Sequence, residues 1–204
     1  MQTLSFKQVQ LHTVDGQALL DIDHKVLNDD YRMTVIKGAS GIGKSTLFKM
    51  LAGLHLHFTG EVALPTGKLM FLPQRAYFPV GGLLSAEAYP QIATDGDEPR
   101  LVHAMGLVGF HGQHIQTMLH ACDFSKLSGG EQQRLMIARV IFNQPDWVFL
   151  DESCNALDEE TEQKMFALLQ EQLPNTRVVL ISHTNNTEAA PEREEWQLSH
   201  TKFA

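Results

Sequence analysis

Apolar residues follow two rhythms along this chain. Short, nearly continuous apolar runs at residues 32–37 (RMTVIK), 68–72 (KLMFL), Trp147–Asp151 (WVFLD) and Arg177–Ser182 (RVVLIS) predict strands. The last two lack the polar alternation of a half-exposed strand, as parallel strands covered on both faces do. Elsewhere the apolar residues return every three or four positions. Residues 44–54 place Leu47, Met50/Leu51 and Leu54 on one face, which predicts a helix. Residues 131–143 do the same with Leu135, Ala138 and Ile141/Phe142, and residues 159–173 with Met165, Leu168/Leu169 and Leu173. Strands interleaved with helices predict an α/β core. Between Gln74 and Leu127 the strand rhythm gives way to Gly, Pro, Ala and short helical pieces, so an inserted, mainly helical lobe is expected over about 74–127. The core then comprises 1–73 and 128–204, ending in a polar, acidic segment with one short strand near Trp196 and Leu198.

Composition narrows the function. A chain of 204 residues with 43% hydrophobic content supports one sizeable domain. A net charge of −8 argues against a nucleic-acid partner, which would call for a basic surface. Two cysteines, Cys122 and Cys154, without a neighbour at metal spacing suit a reducing compartment. The first residues lack the charged-then-apolar pattern of a secretory signal, and the apolar runs are far shorter than the ~20 residues of a membrane span. A soluble chain is expected.

The richest chemistry lies in two glycine-bearing segments. Gly38-Ala39-Ser40-Gly41-Ile42-Gly43-Lys44-Ser45-Thr46 fits the phosphate-loop pattern G-x-x-x-x-G-K-[ST], with a strand expected before it and a helix after it. Glycines there let backbone N–H groups turn toward phosphate oxygens. Lys44 would contact the β- and γ-phosphates, and Ser45 would ligate Mg²⁺. Some ninety residues later, Leu127-Ser128-Gly129-Gly130-Glu131-Gln132-Gln133-Arg134 precedes the helical run at 131–143. A serine and two glycines at a helix start form an anion grip or an ordinary cap.

Three further positions complete the candidate set. Asp151 ends an apolar strand, where open α/β sheets place ligand groups, and can hold Mg²⁺ directly or through water; Glu152 beside it can orient or deprotonate an attacking water. Gln74 follows the strand at 68–72 and can touch the metal or the water, although a surface amide reads equally well from the residues alone. His183 follows the strand Arg177–Ser182 and can hydrogen-bond a γ-phosphate, while a lone histidine there is more often structural. His111, His114, His120 and Cys122 match no compact zinc spacing, and Cys154 has no adjoining cation to activate it.

Taken together these segments resemble the nucleotide-binding domain of ATP-binding cassette (ABC) transporters. Gly38 to Ser45 is similar to the Walker A motif, Gln74 to the Q-loop, Leu127 to Arg134 to the ABC signature, and Trp147 to Glu152 to Walker B with its catalytic glutamate. Asn155-Ala156-Leu157-Asp158 is similar to the D-loop, and His183 to the switch histidine. Phe71 to Pro79, Tyr89-Pro90 and Asn143 to Trp147 look like the subfamily D type, which includes peroxisomal fatty-acyl transporters and bacterial relatives.

The resemblance implies a P-loop NTPase fold: a mainly parallel sheet, an N-terminal antiparallel β region and the inserted helical lobe. It implies ATP and Mg²⁺ as ligands, with Ser45, Gln74 and Asp151 around the metal and Glu152 and His183 as catalytic residues. It also implies a head-to-tail homodimer, in which Ser128, Gly129, Gly130 and Glu131 contact the partner's ATP and Asp158 joins the two sites. The lobe would meet a transmembrane domain, so the chain would lie peripherally on the cytoplasmic face of a membrane, as an excised domain or a stand-alone subunit, with excision expected. Two positions depart from the family pattern: Val14, with His12 nearby, stands where an aromatic usually stacks on adenine, and Asn155 replaces the usual D-loop serine.

Two other classes are weaker. Chromosome-maintenance ATPases with this signature carry long coiled coils, whereas only 53 residues lie between Gln74 and Ser128, and translation-associated relatives carry two cassettes. A regulatory nucleotide-binding module with little turnover would not need Glu152 and His183.

Overall fold

A computed structural model of the chain describes residues 3–27, 31–78, 82–89, 91–151, 159–182 and 193–199. They form two compact units, one of Met1–Phe71, Asp146–Glu152 and Arg177–Ala204, the other of Leu72–Pro145 and Ser153–Thr176.

The first unit holds two sheets. Strands β1 (Leu4–His12), β2 (Ala18–Leu27) and β4 (Phe58–Ala63) form an antiparallel sheet in the order β2-β1-β4. The inward residues of β1 change phase, from Leu4 and Phe6 to Val9 and Leu11. The cause is a bulge at Gln8, whose φ is 49°, where the register with β4 shifts. Gly60 faces that bulge so closely that a Cβ would lie 2.1 Å from the Gln8 carbonyl oxygen.

The second sheet has the order β5-β6-β7-β3-β8, formed by β5 (Leu69–Leu72), β6 (Trp147–Asp151), β7 (Arg177–Ser182), β3 (Met33–Lys37) and β8 (Arg193–Gln197). The β6–β7, β7–β3 and β3–β8 pairs are parallel. All five β6 residues are buried, which accounts for its unbroken apolar run. Register places Asp151 opposite Ile181 and Lys37 opposite Ser182, so β3, β6 and β7 end at one carboxyl edge. Helix α1 (Lys44–Leu51) follows β3 and buries Leu47, Phe48, Met50 and Leu51 in a core shared with Phe6, Trp147 and Phe149.

The sequence pattern carries α1 on to Leu54, but the helix stops at Leu51. Gly53 turns left-handed (φ 72°), and the Gly53 and Leu54 N–H groups close back on the Met50 and Lys49 carbonyls at 3.0 and 2.7 Å. This Schellman closure throws Leu54 outward, where it is 76% exposed.

The second unit is helical among its described residues, apart from Leu72 at the end of β5: α2 (Leu83–Ala88), α3 (Glu98–Leu107), α4 (Gly112–Ala121), α5 (Gly129–Asn143) and α6 (Glu159–Gln172). Helix α5 packs against α2, α3 and α6, and every residue from Leu135 to Asn143 is buried. A helix enclosed on all sides must be apolar nearly all round or pair its polar groups. No helix among the described residues is long and apolar enough to cross a membrane.

Candidate functional site

The loop between β3 and α1 builds a cradle at the carboxyl edge of the parallel sheet. Gly41 (φ 81°) and Gly43 (φ 105°) take left-handed conformations that side chains resist, and they curl the backbone around the amino end of α1. The resulting cavity, about 280 Å³, is lined by Leu19, Ser40, Gly41, Gly43, Lys44, Ser45 and Thr46. The Ile42 N–H donates to the Ala39 carbonyl at 3.3 Å, and the Leu47 N–H to the Gly43 carbonyl at 2.8 Å.

Lys44 is buried, and its ammonium donates to the Gly38 and Ala39 carbonyls at 2.6 and 2.9 Å. Burial pulls its pKa below the usual lysine value, and the nearby Asp151 carboxylate works against that fall. Asp151 is itself buried at the end of β6 and accepts a hydrogen bond from the Ser45 hydroxyl at 3.4 Å. The sheet thus brings the Asp151 carboxylate, more than a hundred residues away in the sequence, against Ser45, which with Lys44 lines the hollow. That donor set suits a polyphosphate and a hard cation with oxygen ligands. Glu152, Asn155, Asp158 and His183 lie outside the described residues, as does Cys154. Val14 sits exposed on the β1–β2 turn, whose Thr13 N–H donates to the Gln17 carbonyl at 2.7 Å.

The other glycine segment lies in the second unit and opens α5. Ser128 is its N-cap. The Glu131 N–H donates to Ser128 Oγ at 3.3 Å, and the Glu131 carboxylate accepts from the Ser128 N–H at 2.9 Å and from its hydroxyl at 2.7 Å. These bonds, the side-chain one foremost, hold the Glu131 carboxyl below its usual pKa. The Gln132 amide donates to the Leu127 carbonyl at 3.0 Å, fixing the approach to the helix. Gly129 and Gly130 form the first helical residues. Gln74 is exposed, two residues beyond β5.

One group of polar residues in this unit escaped the sequence reading. Glu87, Arg139 and Asn143 are all buried. The available signal was a single arginine inside the otherwise apolar stretch from Leu135 to Phe142.

The ABC transporter family profile matches residues 28–155. An uncharacterized ABC transporter ATP-binding protein of Haemophilus influenzae is 39% identical over 150 residues, covering 73% of this chain and 25% of that protein. ABC transporter D family member 1 of Arabidopsis thaliana is 29% identical over 194 residues, covering 88% of this chain and 14% of that protein. In fold, the chain matches a bacterial Atm1-family ABC exporter solved with ATP bound at a TM-score of 0.77, with 21% identity over 98% of this chain and 38% of that one. The chain spans about a quarter of the length of the first curated relatives it matches.

Proposed function

Because this chain belongs to the ABC transporter ATP-binding family, whose members hydrolyse ATP in transporters, we propose that it is the ATP-hydrolysing part of a transporter, working as a head-to-tail dimer. The observation that carries this reading is the Gly38–Ser45 cradle, in which Lys44 lines the hollow and Ser45 is hydrogen-bonded to Asp151.

ATP would lie with its phosphates in that cradle. Lys44 and the loop N–H groups hold the β- and γ-phosphates, while Ser45, Asp151 and Gln74 hold Mg²⁺, which when bound neutralises phosphate charge. Glu152 takes a proton from, or orients, the attacking water, and His183 hydrogen-bonds the γ-phosphate. Ser128, Gly129, Gly130 and Glu131 complete the site on the partner copy, and Asp158 joins the two sites. The capped start of α5 supports this role, since it offers a pre-ordered helix N-terminus to an anion. ATP closes the dimer because it binds the closed form better, and hydrolysis releases it. The second unit passes that motion to a transmembrane domain, separate or fused, at the cytoplasmic face of a membrane.

The test is phosphate release from Mg-ATP together with binding of a fluorescent ATP analogue. Lys44→Ala should weaken binding about tenfold or more, and Glu152→Gln should keep binding while turnover collapses. Unaltered affinity in the first variant removes the phosphate-loop assignment, and unaltered turnover in the second removes the water-activating role of Glu152.

A further inference from the structure

Glu87, Arg139 and Asn143 link α2 to α5, the helix capped by Ser128. Glu87 on α2 is fully buried, and its Oε1 is 3.5 Å from Nη2 of Arg139 on α5. Arg139 donates from Nη1 to the Tyr77 carbonyl at 2.9 Å, and its guanidinium lies 5.0 Å from the centre of the Phe78 ring. Phe78 also stacks on Phe124, with centroids 4.4 Å apart and planes 3° from parallel. The Phe124 carbonyl accepts from the Gln132 amide on α5 at 3.4 Å. Asn143, one turn beyond Arg139, donates to the Glu87 backbone carbonyl at 2.7 Å. Tyr77 and Phe78, three and four residues after Gln74, are thereby fastened to α5 and to the turn that leads into Ser128.

Packing alone does not call for this pair. Two apolar side chains would fill the space without the cost of burying charge. Nor is the network closed: Glu87 Oε2 and Arg139 Nε have no hydrogen-bond partner among the described residues. What the carboxylate provides is a second anchor for Arg139, so that the guanidinium bridges α2 and the Tyr77 carbonyl. Burial pushes the Glu87 carboxyl up to about 7, and Arg139 opposes that rise. Among the described residues, Arg139 from α5 and the Cys122 thiol just past α4 are the ionisable groups that interact electrostatically with it, and α3 adds no charge to this balance.

We propose that Glu87, Arg139 and Phe78 are positioning residues for ATP hydrolysis, holding the Gln74 segment to the helix that begins at Ser128 so that both parts move as one. The inference rests on the ATPase reading above. With Glu87 ionised, Arg139 is held from both sides; with it protonated, the hold on α2 loosens. Hydrolysis should therefore decline as pH falls through about 7.

The experiment measures phosphate release against pH, and analogue binding, for the full chain, Glu87→Gln and Phe78→Leu. Glu87→Gln should lose the decline near pH 7 and run about tenfold slower at pH ~8, with nucleotide affinity within about twofold of wild type. Phe78→Leu, which leaves the buried pair intact, should slow turnover and keep the decline. A Glu87→Gln profile equal to wild type overturns the inference alone, as do losses of binding and turnover in proportion. If Glu87→Gln does not fold, a wild-type rate in Phe78→Leu overturns it. Wild-type protein without turnover overturns the ATPase reading itself, and the inference with it.

Discussion

Glu87 should make the stability of this chain depend on pH in a direction unusual for a carboxylate. Its pKa rises from the ordinary 4.5 to about 7 on folding, mainly because burial disfavours the ionised form. The folded chain therefore holds this proton more tightly than the unfolded chain does. Between pH 4.5 and about 7 the native state carries the extra proton, so stability falls as pH rises. The contribution is fully present below pH 4.5 and is lost once pH has risen through about 7. At about 1.4 kcal/mol per unit, the whole change is on the order of 3 kcal/mol. Glu87→Gln keeps the shape and removes the titration. Urea melts of both proteins at several pH values isolate the term, because other titrating groups cancel in the difference. With a slope of about 2 kcal/mol per molar, the midpoint difference should drift by roughly 1–2 M in favour of the variant from pH ~5 to pH ~8. A difference that stays constant over that range would refute the reasoning.

Two other substitutions probe the cradle. Gly43→Ala has room for its methyl, 3.6 Å from the Leu19 and Leu20 Cβ atoms, but must hold a φ of 105°; it should cost about 1–3 kcal/mol in thermal melts and weaken ATP binding. Asp151→Asn keeps a partner for Ser45 but removes the charge that supports Lys44 and the cation. It should raise the Mg²⁺ concentration needed for half-maximal phosphate release about tenfold, and an unchanged requirement would exclude Asp151 from the metal site.

The parts legible in the sequence are those whose cause is local. Strands β6 and β7 read directly because burial on both faces leaves an unbroken apolar run. The phosphate loop reads directly because its glycines, lysine and serine are contiguous. Strand β1 escapes a simple pattern because the bulge at Gln8 shifts the inward phase, so no single alternation runs from Leu4 to Leu11. Strand β8 (REEWQ) is acidic and holds its place through pairing with β3 and through the Lys37–Glu195 and Lys25–Glu194 ion pairs. The meeting of Ser45 with Asp151 depends on strand order, and that of Glu87 with Arg139 on helix packing. The lone Arg139 in an apolar run marks a buried polar group, but no local pattern names either pair's second member.

The claim that each chain supplies half of two sites can be tested by mixing. Lys44→Ala lacks a working phosphate loop but keeps Ser128. Ser128→Asn keeps a capping side chain for α5, loses the hydroxyl and adds bulk where phosphate would approach. Each variant alone should release phosphate at a small fraction of the wild-type rate. A head-to-tail dimer of the two has one site with an intact loop from one chain and an intact Ser128 from the other. Mixing them should therefore restore turnover, to about a quarter of wild type if the chains pair at random and the sites act independently. Two inactive variants that stay inactive at every mixing ratio, while still forming mixed dimers, would contradict the account.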